Sequence, residues 1–127
     1  MYEKNFVKSN RISIENIGMK TILITGSSGF VGGYLALWAS SRYKTIACYN
    51  RSPVSNSDNN NFIPARVDIT KLDQTIGLMK IFVPDIVIHA AAITDFNFCA
   101  ENYQSAYTVN VQGTSNLLVA SAMVKAR

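Results

Sequence analysis

Cysteine is scarce in this chain: Cys48 and Cys99 are the only two in 127 residues. That number excludes a disulfide scaffold, and no metal-ligand spacing surrounds either position. Both are read as buried or idle thiols, which suits a reducing cytoplasm, and no metal site is expected. Charge is sparse as well, at 16% of residues, with 12 Lys and Arg against 8 Asp and Glu. The cations stand singly, without the basic stripe and interleaved aromatics that mark a nucleic-acid binder. A net charge of +4 suits a phosphate-bearing ligand but does not demand one. Long apolar runs are missing too. The uncharged stretches are cut by glycine or are only strand length, well short of the ~20 residues of a membrane span. The opening "MYEKNFVKSNRISIENIGMK" has no apolar centre of the kind a signal peptide needs. No repeat, interdomain linker or low-complexity tract appears, so the length corresponds to one domain with a real core.

What is present is alternation. Residues 1–18 are polar and aperiodic, and are expected to form a disordered arm or to follow from a start assigned too early, with Met19 as the alternative start. An extra strand at "RISIENI" is the other reading of that stretch. From there "KTILIT", "KTIACYN", "FIPARVDI" and "DIVIHAAA" read as four apolar strands, the third bent or shortened by Pro64. Between them lie helical periods. One runs through "FVGGYLALWASSR", with Val31, Leu35, Trp38 and Ala39 on a face. Another runs through "TKLDQTIGLMKIFV", with Leu72, Ile76 and Met79 on a face and Thr70 as N-cap. A third spans residues 101–125, with Tyr107, Val111, Leu118 and Ala122 at helical spacing. Strands apolar throughout, separated by amphipathic helices, predict an α/β doubly wound parallel sheet over residues 19–127.

The stretch "TILITGSSGFVGGYLA" then packs four glycines into eight residues, directly where the first strand ends. Gly26, Gly29 and Gly32 are spaced G-x-x-G-x-x-G on a strand-to-helix turn, the context that makes such a pattern a dinucleotide site. Gly26 allows the tight turn, Gly29 lets a pyrophosphate approach the backbone, and Gly32 lets the helix pack on the strand. The free N–H groups of the helix start, at Phe30 and Val31, favour an anion. Ser27 and Ser28 offer hydroxyl donors. A Walker A loop needs Lys after its last glycine, and there is none.

The second strand selects the cofactor. An NAD site usually places Asp or Glu at its end to accept from the ribose 2′-OH. Here it ends "ACYNRSP", with Asn50 and Arg51 and no acid. Arg51 is suited to a 2′-phosphate through charge-assisted bonds, which favours NADP(H) over NAD. The alternative is that Arg51 is a solvated loop cation.

"TGSSGFVG", "VDIT", "PDIVIHAAAITD" and "AENYQSAYTVNVQGTSNLLVAS" together resemble the extended short-chain dehydrogenase/reductase family. Within it they resemble most the dTDP-4-dehydrorhamnose reductase branch, from Met19 to the end. The resemblance implies a Rossmann-like sheet and a set of cofactor-binding positions beyond the glycine turn. Asp68 and Ile69 match positions flanking the adenine ring. Ala90, Ala91 and Ala92 match the small residues along which the middle of the cofactor lies. Thr94 matches a position at the mouth of the active site, and Asn110 a helix asparagine that organises the catalytic region. His89, at the end of the fourth strand, is read as structural rather than as a base.

In this family a Tyr in Y-x-x-x-K moves the proton of the alcohol or ketone, and the Lys lowers its pKa. Four residues after Tyr2, Tyr34, Tyr43, Tyr49, Tyr103 and Tyr107 stand Phe6, Trp38, Ala47, Pro53, Tyr107 and Val111. No catalytic residue is therefore assigned. The chain is expected to be the N-terminal cofactor-binding part of a larger NADPH-dependent reductase of a 4-keto-deoxysugar nucleotide, inactive alone. Its fourth strand would then be an open edge that a partner chain could cover. Two alternatives stay open: a non-catalytic NADP-binding or regulatory module, and a fragment of a sugar-nucleotide epimerase or dehydratase.

Overall fold

The computed structural model describes residues 18–127. The arm expected over 1–18 and the strand considered at "RISIENI" thus lie outside the described residues, apart from Gly18. Strands β1 (Thr21–Thr25), β2 (Lys44–Tyr49), β3 (Phe62–Arg66) and β4 (Ile86–His89) form one parallel sheet in the order β3-β2-β1-β4. Helix α1 (Phe30–Ser40) connects β1 to β2, and α2 (Leu72–Phe82) connects β3 to β4. After β4 come α3 (Phe96–Glu101), α4 (Tyr103–Tyr107), a π-helical turn (Thr108–Gly113) and α5 (Thr114–Met123). This is the doubly wound, Rossmann-like arrangement expected from the alternation of strands and helices. Among the described residues no helix is long and apolar enough to cross a membrane.

The pleat of β1 sends Leu23 to one face and Ile22 and Ile24 to the other, and two cores follow. Leu23, Ile46, Cys48, Val67, Leu78, Met79, Leu117 and Ala120 fill the layer under α2 and α5. Ile22, Ile24, Ala36, Ala39, Ala47 and Phe62 fill the layer under α1. Burying a side chain of Leu or Ile size is worth about 1.5–3 kcal/mol, so the all-apolar strands carry much of the stability. Pro64 sits within β3 opposite Ala47. A strand at the sheet's edge tolerates a residue with no N–H to donate.

All three helical faces depart from the expected ones. In α2 the buried positions are Thr75, Leu78 and Met79, whereas Leu72 is exposed and Ile76 only half-buried. In α1 the buried positions are Gly32, Ala36, Ala39 and Ser40, whereas Val31 and Trp38 are 62% and 51% exposed. The reason is local: a Cβ on Gly32 would overlap the Gly26 carbonyl, so the helix must present its small stripe to the sheet. In the last segment Ala106, Gly113, Leu117 and Ala120 are buried, and Tyr107, Val111 and Leu118 are exposed. The π-helical turn changes the rotation per residue there, so a single 3.6-residue period cannot describe residues 101–125. The N-cap of α2 is Lys71, not Thr70; Thr70 instead gives both its N–H and its hydroxyl to Asp68 Oδ1, at 3.0 and 2.7 Å.

The strand assigned to "DIVIHAAA" ends at His89, which leaves Ala90–Ala92 as irregular chain beyond the sheet. The outer edge of β4 is less open than expected. Arg127 N–H donates to the Asp85 carbonyl at 3.0 Å, and Val87 N–H donates to the Arg127 carbonyl at 2.8 Å. These are the slanted bonds a neighbouring parallel strand makes.

Candidate functional site

At the carboxyl ends of β1, β2 and β4, where ligands bind in open α/β sheets, lies a cleft of about 490 Å3. The size falls within the range of small-molecule sites. Its floor is the turn after β1. Gly26 has φ +70°, and a Cβ there would come within 2.7 Å of Ala91 N and 2.8 Å of the Ala90 carbonyl. Only glycine satisfies both the left-handed backbone and the close approach. Gly29 donates its N–H to the Gly26 carbonyl at 2.9 Å and caps α1. A Cβ on Gly29 would meet only that same oxygen, at 3.3 Å. The N–H groups of Phe30, Val31 and Gly32 open the helix without intrahelical acceptors, and the first turn carries no acid. The turn is therefore a smooth backbone surface with a positive end, which fits a pyrophosphate.

The cleft walls come from the other strand ends. Tyr49, Asn50, Arg51 and Ser52 line the side that continues β2, Val67, Asp68, Ile69 and Thr70 that of β3, and Ala90–Ile93 that of β4. The loop bearing Arg51 is held by Arg66 Nε, which donates to the Asn50 carbonyl at 3.1 Å. Asp68 is fixed by its two bonds from Thr70, and its own N–H donates to Gln74 Oε1 at 3.1 Å. Asn116 Nδ2 donates to the Ile69 carbonyl at 2.9 Å. Cys48 also reaches the lining, but burial pushes its thiol up to about 12, so it stays protonated and is no nucleophile at neutral pH.

Of the residues singled out in the sequence, Gly26, Ser28, Gly29, Asn50, Arg51, Asp68, Ile69, Ala90, Ala91 and Ala92 are brought together around the cleft. Six others lie apart from the lining. The Ser27 hydroxyl turns inward and donates to the Ile24 carbonyl at 2.9 Å, while its N–H donates to the Cys48 carbonyl at 2.9 Å. It ties β1 to β2 and is not placed to donate to a phosphate. Phe30 and Val31 point their side chains to solvent, Phe30 being 93% exposed, so only their N–H groups bear on the cleft. Gly32 packs under the Gly26 turn. Thr94 is exposed beyond the Ala90–Ile93 wall.

Asn110 works through the backbone. Its Oδ1 accepts from Ile93 N–H at 2.8 Å and its Nδ2 donates to the Ile93 carbonyl at 2.9 Å. This amide clamp fixes the wall from the π-helical turn. Phe98, Ser105 and Val109 also line the cleft and were not anticipated. They arrive from α3, α4 and the π-helical turn, where no local pattern marks them. Among the described residues no group of three His, Cys, Asp or Glu side chains is placed to hold a metal ion.

Comparison with known proteins adds relatives to this geometry. Residues 22–127 match the model of the NAD dependent epimerase/dehydratase family. A dTDP-4-dehydrorhamnose reductase of Aggregatibacter actinomycetemcomitans is 32% identical over 105 residues, covering 81% of this chain and 31% of that protein. The crystal structure of a dTDP-4-dehydrorhamnose reductase from Bacillus anthracis str. Ames in complex with NADP superposes with a TM-score of 0.68 at 26% identity, over 86% of this chain and 34% of that one. That of UDP-glucose 4-epimerase from Brucella ovis in complex with NAD gives a TM-score of 0.73 at 27% identity, over 85% of this chain and 34% of that one. The chain thus spans about a third of the length of the relatives it matches.

Proposed function

Because the chain belongs to the NAD dependent epimerase/dehydratase family, we propose that it is the cofactor-binding part of an NADPH-dependent reductase acting on a 4-keto-deoxysugar nucleotide. The observation that carries the reading is the pairing of two cleft features. Gly26 is pressed against the Ala90–Ala91 backbone, which leaves a shallow track for the pyrophosphate. Arg51 stands where the β2 strand runs out, with no acid beside it in "YNRS". A guanidinium there favours a 2′-phosphate, whereas a carboxylate would repel one. The likeness to a reductase crystallised with NADP and to an epimerase crystallised with NAD supports a nicotinamide dinucleotide in either form; the preference for NADPH rests on Arg51.

When bound, the dinucleotide supplies or accepts hydride. The residues of this chain would hold it: the glycine turn and the N–H groups of α1 would take the pyrophosphate, Asp68 and Ile69 would flank the adenine, and Ala90–Ala92 would leave room for the nicotinamide half. Proton transfer to the sugar belongs to groups outside these 127 residues, and we expect no turnover from this chain alone. In the whole protein we place the next parallel strand along β4, where Arg127 already makes two bonds.

The test is NADPH and NADH binding to the purified chain by calorimetry, with Arg51→Glu beside the wild type. We expect NADPH to bind more tightly, and Arg51→Glu to weaken it by about tenfold or more, the loss of one charge-assisted contact worth about 1.5–3 kcal/mol. Equal affinity for the two cofactors, unchanged by the substitution, would remove the NADPH preference. Binding of neither would remove the proposal.

A further inference from the structure

His89 closes β4 at the edge of the cleft, and its two ring nitrogens face two different hydroxyls. Nδ1 lies 2.7 Å from Thr25 Oγ1, and Nε2 lies 2.9 Å from Thr114 Oγ1. Thr114 Oγ1 is also 2.6 Å from the Asn110 carbonyl oxygen. The Thr25 oxygen receives the N–H groups of Ala90 and Ala91 at 3.1 and 3.2 Å.

The protons in this chain of bonds have one consistent arrangement. A carbonyl only accepts, so the single hydroxyl proton of Thr114 goes to Asn110. Thr114 must then accept from the ring, which places the imidazole proton on Nε2. The lone pair left on Nδ1 takes the Thr25 hydroxyl proton, and the Thr25 oxygen keeps both lone pairs for Ala90 and Ala91. Every donor is matched. A second proton, on Nδ1, would face a hydroxyl that is already accepting two bonds and would deprive it of its acceptor. No countercharge is at hand, because β1, the π-helical turn and α5 ("TILIT", "TVNVQG" and "TSNLLVASAM") contain no charged side chain, and His89 is the only titratable group of β4. Partial desolvation of the ring, which keeps one side open to solvent, lowers the imidazole pKa from its ordinary value.

We propose that His89 is a positioning residue that, as the neutral Nε2–H tautomer, locks the Ala90–Ala91 wall onto Thr25 and the π-helical turn, and that its protonation releases this wall. The wall is the same backbone against which Gly26 rests, so its release reaches the floor of the cleft. The consequence for dinucleotide affinity rests on the proposed cofactor function; the hydrogen-bond device does not.

One property makes the test clean: the chain has a single histidine, so ring signals need no assignment. Long-range proton–nitrogen NMR at neutral pH should show Nε2 protonated and Nδ1 bare. A proton on Nδ1, or a rapidly averaged pair of tautomers, overturns the proposal. On acidification the amides of Ala90 and Ala91 should shift with the same midpoint as the ring; midpoints unrelated to the ring overturn it too. NADPH affinity of the wild type should fall more between about pH 7.5 and about pH 5.5 than that of His89→Asn, by a factor that stays below tenfold because the ring titrates below the ordinary histidine value of about 6.5; the Asn side-chain carbonyl still accepts from Thr25 but does not titrate in this range. The cofactor's own phosphate titrates equally against both chains and cancels in that ratio. Parallel pH dependences of the two chains would reduce His89 to a merely structural role. If NADPH binds at no pH, the cofactor function fails, while the tautomer and the amide shifts still decide the role of His89.

Discussion

Gly26 shows what a single residue type discloses and what it withholds. That a glycine is needed after β1 is written in the sequence, since the turn calls for a backbone no L side chain adopts readily. What the glycine rests against, the backbone of Ala90 and Ala91, lies far along the chain and leaves no local mark. The serines beside it make the same point, for Ser27 and Ser28 look equivalent in "TGSSGF". Only Ser28 reaches the cleft, because the Ser27 hydroxyl is spent on the Ile24 carbonyl. For Gly26→Ala we expect a loss of about 2–4 kcal/mol, from the left-handed backbone and from forcing a methyl group against Ala90 and Ala91. Urea unfolding measures the loss; a drop below about 1 kcal/mol would mean that the β1 turn can move away from the β4 loop.

At the scale of the element, strands were more legible than helix faces. A strand buried on both sides is apolar throughout, whatever its register, so β1 and β2 announce themselves, and the half-buried β4 carries a similar apolar run. The helices follow a different constraint. In α1 the approach of Gly32 to the Gly26 turn sets the rotation, and the small residues Ala36 and Ala39 face the sheet while Leu37 and Trp38 look out. Trp38 instead lies under the Arg42 guanidinium, 5.0 Å from its carbon to the ring centroid. Thermal melts should therefore rank two substitutions against hydropathy. Ala36→Leu, which adds bulk where there is no room, should cost about 1–3 kcal/mol. Trp38→Gln should cost less than about 1 kcal/mol, an exposed cation–π contact being worth about 0.5–1 kcal/mol. The reverse ranking would mean that α1 is rotated about its axis. The π-helical turn left no mark in the sequence; the organising role of Asn110 came from the family resemblance alone, and its target, Ile93, did not show.

For the molecule as a whole, the depressed pKa of His89 sets a sign. The unfolded chain takes up the proton near the ordinary histidine value of about 6.5, before the folded one does. Stability is thus fully present above that pH and declines as the pH falls through it, until the folded ring is itself protonated. The melting temperature of the wild type should fall between about pH 6.5 and about pH 5, ahead of the carboxylates, and that of His89→Asn should stay flatter; identical curves would exclude the histidine as the cause. The observed order β3-β2-β1-β4 puts β1 in the interior of the sheet. That central position has a kinetic side. β1 leads the described chain, yet the partner on its far flank, β4, meets it only across 64 residues, at the contacts of Thr21 with Asp85 and of Thr25 with His89. Until that contact closes, one flank of the most buried strand stands bare, and closure of so long a loop comes late for a nascent chain. Thr25 and His89 thus also clasp the two ends of the longest closure in the sheet: the bond that sets the wall of the cleft belongs to the strand pairing farthest apart in the sequence.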